Sequence, residues 1–261
     1  MLIPVAGVDD PRLDDYRNVP DHEMLRARGL FIAEGRYVVR RLLESRFHTR
    51  SVLVTPPACE ALRDIVDRAL DLPVYVVSQE TMNGIAGFDI HRGCVAAGER
   101  PAAPAWQDIA TGASLVVVLE RVSNPDNVGA IFRNAVAFGA GAVLLGPACA
   151  DPLYRKAIRT SMAASLRVPF AAMTDWPGDL TRLRAAGFRL LALTPAHDSQ
   201  PLRESDTSGP VALVVGHEGD GLSSEALAAA TVRVRIPMTA DVDSLNVATA
   251  AAIALYEMSR R

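Results

Sequence analysis

The sequence predicts two α/β domains joined by a linker. Strand-like and helix-like segments alternate through residues 21–97 and again, with longer apolar strands, through residues 114–261. The Pro- and Ala-rich stretch 98–113 between them has no clear period, which is typical of a linker. Residues 1–20 are rich in Pro and Asp and are predicted to form a loosely attached N-terminal arm.

The individual elements follow from this alternation. In the first domain the predicted strands are 30–35, 50–56, 73–78 and 93–99, and the predicted helices are 22–29, 36–45, 59–70 and 79–87. In the second domain the predicted strands are 114–120, 142–145, 168–171, 188–193, 211–216 and 232–236, and the predicted helices are 127–138, 155–165, 179–186, 223–230 and 244–260. The first set predicts a small α/β/α sandwich and the second a mostly parallel sheet covered on both faces. Ligands of such sheets bind beyond the carboxyl ends of the strands, so the loops there are the candidate sites.

Composition restricts the classes of protein further. The formal net charge of -3 and the pI near 6.0 indicate no global preference for a polyanion, although a local arginine patch would be enough to bind one. The cysteines Cys59, Cys94 and Cys149 are far apart and lack the spacing of a metal site. Without a signal peptide or a long apolar segment, the chain is expected to be a soluble cytoplasmic protein with no metal and no membrane span.

The first candidate loop is "SNPDNVGAIFRNAVAFG", residues 123–139. A dinucleotide-binding loop would have three glycines here, whereas this loop has Gly129 alone, with Asn127 before it and Arg133 after it. Asp126 or Asn127 is predicted to cap the helix that follows. Taken alone, Asn127 could be only a cap and Arg133 only a solvated side chain.

The second candidate loop is "GHEGDGLS", residues 216–223, which follows an uninterrupted apolar strand. Its three glycines allow tight turns and present bare backbone N–H and C=O groups to a ligand. A phosphate-binding loop would pair such glycines with a lysine, but here Glu218 and Asp220 are present. This favours a neutral or cationic ligand, and His217 by itself is only a weak catalytic candidate.

The third candidate loop lies in "IPMTADVDSLNVATAAAIALYE", residues 236–257. Ser244 is predicted to cap the long Ala-rich helix. That cap would leave the amide of Asn246 free to point from the first turn of the helix toward a ligand.

Together the three segments resemble the SpoU (TrmH-type) family of RNA ribose methyltransferases in the SPOUT superfamily, in the family's order and spacing. The segments "FIAEGRYVVRRLLES" and "GCVAAGE" also resemble the small RNA substrate-binding domain of ribosomal-protein L30e type. The resemblance implies S-adenosylmethionine as cofactor, a deep trefoil knot in the domain at 114–261, a homodimer, and an RNA substrate bound with the help of residues 21–97. One departure lies at 159–169, where relatives often have a glycine after the serine and this chain has Met162, Ala163 and Ala164.

By position in the motifs, the resemblance also implies the site residues. Those implied in catalysis are Asn127, Arg133, Glu218, Ser244 and Asn246. Those implied in cofactor binding are Leu193, Thr194, Gly216, Glu218, Gly221, Ile236, Met238, Leu245 and Asn246.

The sequence leaves several alternatives open. Arg133 could act as a base or could clamp a phosphate and stabilise the alkoxide; the clamp is favoured, since guanidinium stays protonated. The resemblance favours 23S ribosomal RNA as substrate, with transfer RNA, or a non-catalytic RNA-binding role, as alternatives. A nucleotide-dependent oxidoreductase would also have alternating strands and helices, but it needs the glycine triplet that is missing.

Overall fold

The structure, a computed structural model, describes residues 1–17, 20–69, 71–86, 93–239 and 244–259. Its strands are β1 (Leu2–Pro4), β2 (Leu30–Glu34), β3 (Thr49–Val54), β4 (Val74–Val76), β5 (Cys94–Glu99), β6 (Leu115–Leu119), β7 (Ala142–Leu145), β8 (Phe170–Ala172), β9 (Arg189–Leu193), β10 (Gln200–Pro201), β11 (Val211–Val215) and β12 (Val232–Arg235). Its α-helices are α1 (Asp21–Glu23), α2 (Arg36–Leu43), α3 (Pro56–Ala61), α4 (Arg63–Val66), α5 (Gln79–Ala86), α6 (Trp106–Ala110), α7 (Pro125–Ala137), α8 (Arg155–Thr160), α9 (Gly178–Ala185), α10 (Ser224–Ala229) and α11 (Val247–Ser259). The predicted helices at 59–70, 79–87 and 244–260 each end on a residue outside the described ranges.

The chain forms two compact units. The N-terminal unit comprises Met1–Ala102 together with Leu153–Arg167, and the C-terminal unit comprises Ala103–Pro152 together with Val168–Arg261. The segment Leu153–Arg167, which the sequence places in the second domain, therefore packs within the N-terminal unit. It is held there by Arg155, whose backbone N and Nε donate to the carboxylate of Asp21 at 3.0 and 2.9 Å.

The N-terminal unit is built on a mixed five-stranded sheet in the order β1-β4-β3-β5-β2. Strands β1, β4 and β3 are parallel, and β5 runs antiparallel to β3 and β2. The prediction of a loosely attached arm at 1–20 is wrong, because β1 pairs with β4 and Leu13 and Tyr16 are buried in the core of this unit. The Tyr16 hydroxyl also contacts the Ser51 hydroxyl at 2.6 Å.

The C-terminal unit is built on a seven-stranded sheet in the order β10-β12-β9-β11-β6-β7-β8. Neighbouring strands are parallel throughout, which confirms the predicted parallel α/β architecture. The central strands β6 and β11 are fully buried, as expected for a sheet covered on both faces. The trefoil knot stays a prediction.

The stretch predicted as a linker is only partly one. Residues 100–105 have no regular structure, but Trp106–Ala110 forms helix α6. Trp106 is 5% exposed and lies in the core of the C-terminal unit beside residues such as Leu180 and Phe188. A buried tryptophan stabilises by burying a large apolar surface, so this part of the stretch belongs to the fold.

The departure from the family pattern at Met162 and Ala163 has a conformational consequence. Both residues have positive φ, 51° and 64°, a region that glycine adopts most easily. Backbone N–H groups of Met162 and Ala163 donate to the carbonyls of Arg159 and Ile158, which closes the C-terminal end of α8. Met162 therefore occupies the helix-terminating position where glycine is preferred.

Candidate active site

A pocket of about 270 Å³ lies in the C-terminal unit, at the loops that follow β9, β11 and β12. Its lining is Leu193, Thr194, Pro195, Val215, Gly216, His217, Glu218, Gly219, Gly221, Ile236, Met238, Ser244, Leu245, Val247 and Ala250. All the residues implied in cofactor binding line this pocket except Asn246, and Ser244 of the catalytic set lines it as well. The structure thus brings Leu193 and Thr194, the loop 216–221, and the four residues Ile236, Met238, Ser244 and Leu245 around one cavity, although these segments are distant in sequence.

Sequence reasoning missed part of this lining. Pro195 and Gly219 adjoin residues that were predicted, and Val215 is the last residue of β11. Val247 and Ala250 are three residues apart in the first turn of α11, so their side chains share one face of the helix. An apolar i, i+3 pair next to a candidate loop is a signal that would have identified them.

The glycine loop 216–223 folds back on itself in a tight turn. The N–H of His217 donates to the Gly221 carbonyl at 3.2 Å, and the N–H of Gly221 donates to the His217 carbonyl at 3.0 Å. A Cβ on Gly216 would lie 2.6 Å from backbone atoms of Gly221 and Leu222, which is too close for any side chain. Gly221 has φ 70°, so it takes the left-handed conformation that the turn requires.

His217 contributes to this turn through its ring. Its Nδ1 accepts hydrogen bonds from the backbone N–H groups of Gly219 and Asp220, both at 3.1 Å. The ring nitrogen Nδ1 thus faces the backbone of the loop and satisfies two of its N–H groups. His217 is therefore held as a local cap of the loop.

Three predicted residues form a hydrogen-bonded chain at the rim of the pocket. The Asn246 side-chain amide donates to Asn127 Oδ1 at 3.0 Å, and the Asn127 amide in turn donates to Glu218 Oε1. The Asn127 side chain thus uses both its NH2 group and its oxygen, and these two hydrogen bonds to Glu218 and Asn246 set its orientation. The rim thus presents polar groups held in a defined direction.

The helix caps differ from the predicted ones. The side chain that caps α7 is Asn124, which accepts from the N–H of Asp126 at 2.9 Å, so neither Asp126 nor Asn127 is the cap. At α11, Asn246 Oδ1 accepts from the N–H groups of Ala248 and Thr249 at 3.0 and 3.2 Å. The prediction of Ser244 as the cap is wrong, because the helix begins at Val247 and Asn246 immediately precedes it.

Arg133 is exposed and lies apart from this chain of hydrogen bonds. It follows Asn127 by six residues in α7, which corresponds to about 120° around the helix and about 9 Å along it. Among the residues that the structure describes, no hydrogen bond or ion pair is recorded for the Arg133 side chain. One chain alone therefore does not bring Arg133 to the Asn127–Glu218 side of the helix.

The electrostatic character of the pocket is acidic and apolar. Glu218 is the charged residue in the lining, beside apolar side chains such as Leu193, Ile236 and Leu245. No lysine or arginine lines the pocket within the described ranges. Such a pocket suits a neutral or cationic ligand with an apolar body better than a polyphosphate.

The described residues contain neither a metal-binding cluster nor a membrane-spanning helix. No group of three or more His, Cys, Asp and Glu side chains there is arranged to hold a metal ion. Within the same ranges, no helix has the length and apolar character needed to cross a membrane.

Known proteins resemble this chain over nearly its whole length. The model of the SpoU rRNA Methylase family matches residues 114–256. An uncharacterized tRNA/rRNA methyltransferase of Mycobacterium bovis is 44% identical over 98% of this chain and 91% of its own length. The 23S rRNA (guanosine(2553)-2′-O)-methyltransferase RlmP of Bacillus subtilis is 25% identical over 97% of this chain and 98% of its own. The crystal structure of AdoMet-bound rRNA methyltransferase from Sinorhizobium meliloti superimposes with a TM-score of 0.86 at 29% identity, covering 99% of this chain and 98% of that one.

These matches define the class, an α/β RNA methyltransferase, as the motifs predicted. The chain belongs to the SpoU rRNA methylase family, since the family model covers more than half of it. The resemblance inferred from the three loops is thereby confirmed.

Proposed function

We propose that the chain is an S-adenosylmethionine-dependent methyltransferase that methylates a ribose 2′-hydroxyl in structured RNA, with 23S ribosomal RNA as its substrate. The observation that carries this proposal is the Asn246–Asn127–Glu218 chain at the rim of an apolar pocket without basic side chains in its described lining. The names of the Bacillus subtilis and Sinorhizobium meliloti relatives support the reaction and the cofactor. Transfer RNA is the alternative substrate, because the Mycobacterium bovis relative is described as a tRNA/rRNA methyltransferase.

The pocket lining fits S-adenosylmethionine, which joins an apolar adenosine to a sulfonium cation. Leu193, Ile236 and Leu245 would contact the apolar part, and bare backbone in the loop 216–221 would offer carbonyl oxygens. Glu218 places a negative charge in the lining where a cation would bind. When bound, the cofactor would supply an activated methyl group to the ribose 2′-oxygen; the hydroxyl proton passes to water and the demethylated thioether leaves.

The rim residues would orient the RNA. In this proposal Asn127, Ser244 and Asn246 position the ribose hydroxyl in line with the methyl group, which lowers the entropic part of the barrier. Glu218 keeps the Asn127 amide in one orientation. The Arg133 guanidinium contacts the adjacent phosphate and stabilises the developing alkoxide by donating hydrogen bonds.

Arg133 can take this role if the protein is a homodimer. Ile253 and Tyr256 on α11 are exposed apolar side chains, 40% and 49% accessible, and the Tyr256 ring packs edge-on against Phe138 near the end of α7. A shared surface on α7 and α11 would bury them and bring the partner's Arg133 to the rim of the pocket. The exposed position of Arg133, away from its own Asn127, supports this arrangement.

The N-terminal unit would select the RNA. Several of its arginines are engaged by acids: Arg28 by Asp15, Arg40 by Asp64, Arg41 by Glu44, and Arg50 by Asp15 and Glu99. Arg26 and Arg36 are exposed and have no recorded acidic partner among the described residues. We therefore assign phosphate contacts first to these two side chains, and their replacement should reduce the salt dependence of RNA binding.

The reaction and substrate are tested by mapping ribose methylation in RNA from cells with and without the protein. We expect one 2′-O-methyl group in 23S ribosomal RNA to disappear and to return with the wild-type protein. Loss confined to a transfer RNA would contradict the substrate, and an unchanged map would contradict the reaction.

The shared site is tested by mixing two variants of low expected activity, Arg133→Ala and Asn246→Ala, after dissociation and reassociation, and measuring the gain over each variant alone. If Arg133 acts on the partner's pocket, each mixed dimer has one intact site, and about a quarter of wild-type activity returns. If Arg133 acts on its own pocket, every site in the mixture has a defect and no activity returns. Each variant reassociated with itself is the matched control.

A further inference from the structure

Glu120, which directly follows β6, connects loops around the pocket without lining it. Its backbone N donates to the Val215 carbonyl at 2.9 Å, which places it beside the end of β11. Its side chain is 1% exposed, and both carboxylate oxygens are used: Oε2 accepts from the N–H of Ser223 at 2.9 Å and Oε1 from Trp176 Nε1 at 3.0 Å. The carboxylate thus fixes Ser223, the last residue of the glycine loop and the N-cap of α10.

Arg121 holds the same loop at its turn. Its Nη2 donates to the Gly221 carbonyl at 3.3 Å, the same oxygen that closes the turn with the His217 N–H. Its Nη1 lies 3.6 Å from Asp220 Oδ2, and its backbone N donates to the Pro147 carbonyl at 2.9 Å. Arg121 therefore connects the ends of β6 and β7 to the middle of the loop.

The conformation of Arg121 is unfavourable for its residue type. Its φ is 56°, in the left-handed region that favours glycine, and its Nε is buried with no hydrogen-bond partner among the described residues. A strained residue is kept in place only by its surroundings, and here those surroundings are the loop contacts.

We infer that Glu120 and Arg121 are positioning residues that hold the loop 216–223 in the shape that forms one wall of the pocket. Between the fixed points at Gly216 and Ser223, the loop supplies five lining residues, Gly216, His217, Glu218, Gly219 and Gly221. The inference rests on the proposed function for the identity of the ligand. It extends that function by two residues, Glu120 and Arg121, that do not line the pocket.

The test uses Arg121→Gly in the full-length protein, with Ala148→Gly as the matched control. Ala148 also has positive φ, 54°, and is exposed in the loop after β7, so both substitutions relieve a left-handed residue. We expect Arg121→Gly to speed amide hydrogen exchange at His217 and Gly221 without ligand, and to weaken S-adenosylmethionine binding by about tenfold in calorimetry. Its unliganded melting temperature should be unchanged or higher, because glycine relieves the backbone as the contacts are lost.

The outcomes separate a positioning role from a structural one. Faster exchange and weaker binding in Arg121→Gly, with Ala148→Gly like the wild type, support the inference. Unchanged exchange at His217 and Gly221 overturns it, as does a loss of affinity that is matched by a loss of melting temperature. If the wild type binds no S-adenosylmethionine, the proposed function fails, and the exchange comparison still decides whether Arg121 holds the loop.

A second variant, Glu120→Gln, keeps the shape of the side chain but leaves one carbonyl oxygen to serve two donors. We expect faster exchange of the Ser223 amide and weaker cofactor binding, with overall folding retained as judged by circular dichroism. Exchange and affinity equal to the wild type would remove Glu120 from the inference.

Discussion

Asn246 makes two contacts that substitution can separate. Its Oδ1 caps α11 through the N–H groups of Ala248 and Thr249, and its Nδ2 donates to Asn127 at the pocket rim. Asn246→Ala removes both contacts. Asn246→Ser keeps an oxygen that can cap the helix but has no amide to reach Asn127.

The two contacts predict different magnitudes. Loss of a helix cap costs about 1 kcal/mol, which for a chain of this size lowers the melting temperature by about 2–4 °C. Asn246→Ala should therefore be less stable, whereas Asn246→Ser should stay within about 0.5 kcal/mol of the wild type. Both variants lose the hydrogen bond that the Asn246 amide donates to Asn127, so the Asn127 side chain is held by Glu218 alone. Methyl transfer should therefore fall by about tenfold or more in each variant.

Thermal melts of the unliganded protein and initial rates of methyl transfer measure the two effects independently. Asn246→Asp is a further control. Its carboxylate can still cap the helix and is favoured by the helix N-terminus. However, a carboxylate oxygen would replace the amide that donates to Asn127 Oδ1, so two acceptors would face each other there. We expect wild-type stability and low activity from it. Near-normal activity in Asn246→Ser would refute the role of the Asn246–Asn127 contact, and unchanged stability in Asn246→Ala would refute the cap.

Three further predictions concern other positions. Gly216→Ala should abolish cofactor binding in calorimetry, because its Cβ would meet the Gly221 backbone. The control Gly219→Ala should bind nearly normally, because its Cβ would meet only the His217 ring, at 3.3 Å. Equal affinities of the two variants would contradict the assigned loop geometry. Met162→Gly should raise the free energy of unfolding, measured in urea, by about 0.5–1 kcal/mol, because glycine adopts the left-handed conformation without strain. The control Met162→Ala should give no such increase. A glycine variant that is less stable than the wild type would disprove this account. Burial raises the pKa of Cys149 to about 11 and that of Cys94 to about 12, so both thiols stay protonated at neutral pH. Iodoacetamide should therefore label both thiols slowly in the folded protein, at rates that rise with pH. Labelling of the folded protein as fast as that of the protein in urea would contradict this prediction.

The parts of the fold that the sequence predicted well are those set by long apolar runs. Strand β7 matches the predicted 142–145, and β6 lies within the predicted 114–120, because several consecutive buried residues leave little choice of structure. Strands β1 and β10 were missed because they are three and two residues long, and such short edge strands are defined by their hydrogen bonds to β4 and β12. The burial of Trp106 is likewise a tertiary effect that the Pro- and Ala-rich surroundings conceal.

The motifs pointed to residues that lie together at the candidate site, but they did not give each residue its correct structural role. Glu218 and Asn246 were identified through the motifs, yet the cap was assigned to Ser244 because a serine near a helix start is the common case. The boundary of α11 decides the matter, and boundaries depend on tertiary packing. Glu120 was taken only as the end of a strand, since its contacts with Trp176 and Ser223 join positions 56 and 103 residues away.

The position of α7 relative to α11 explains why the site residues divide into two groups. Asn127 and Asn134 are seven residues apart, so they lie on one face of α7, and they contact the start of α11 through Asn246 and the Ala248 carbonyl. Two asparagines on one face thus fix the register between the helices, and the orientation of the rim depends on helix packing as well as on loop geometry. Arg133 lies on another side of α7, where it cannot serve that packing. In the proposed homodimer it would be available to the second subunit, which is why the mixing experiment addresses Arg133 and Asn246 together.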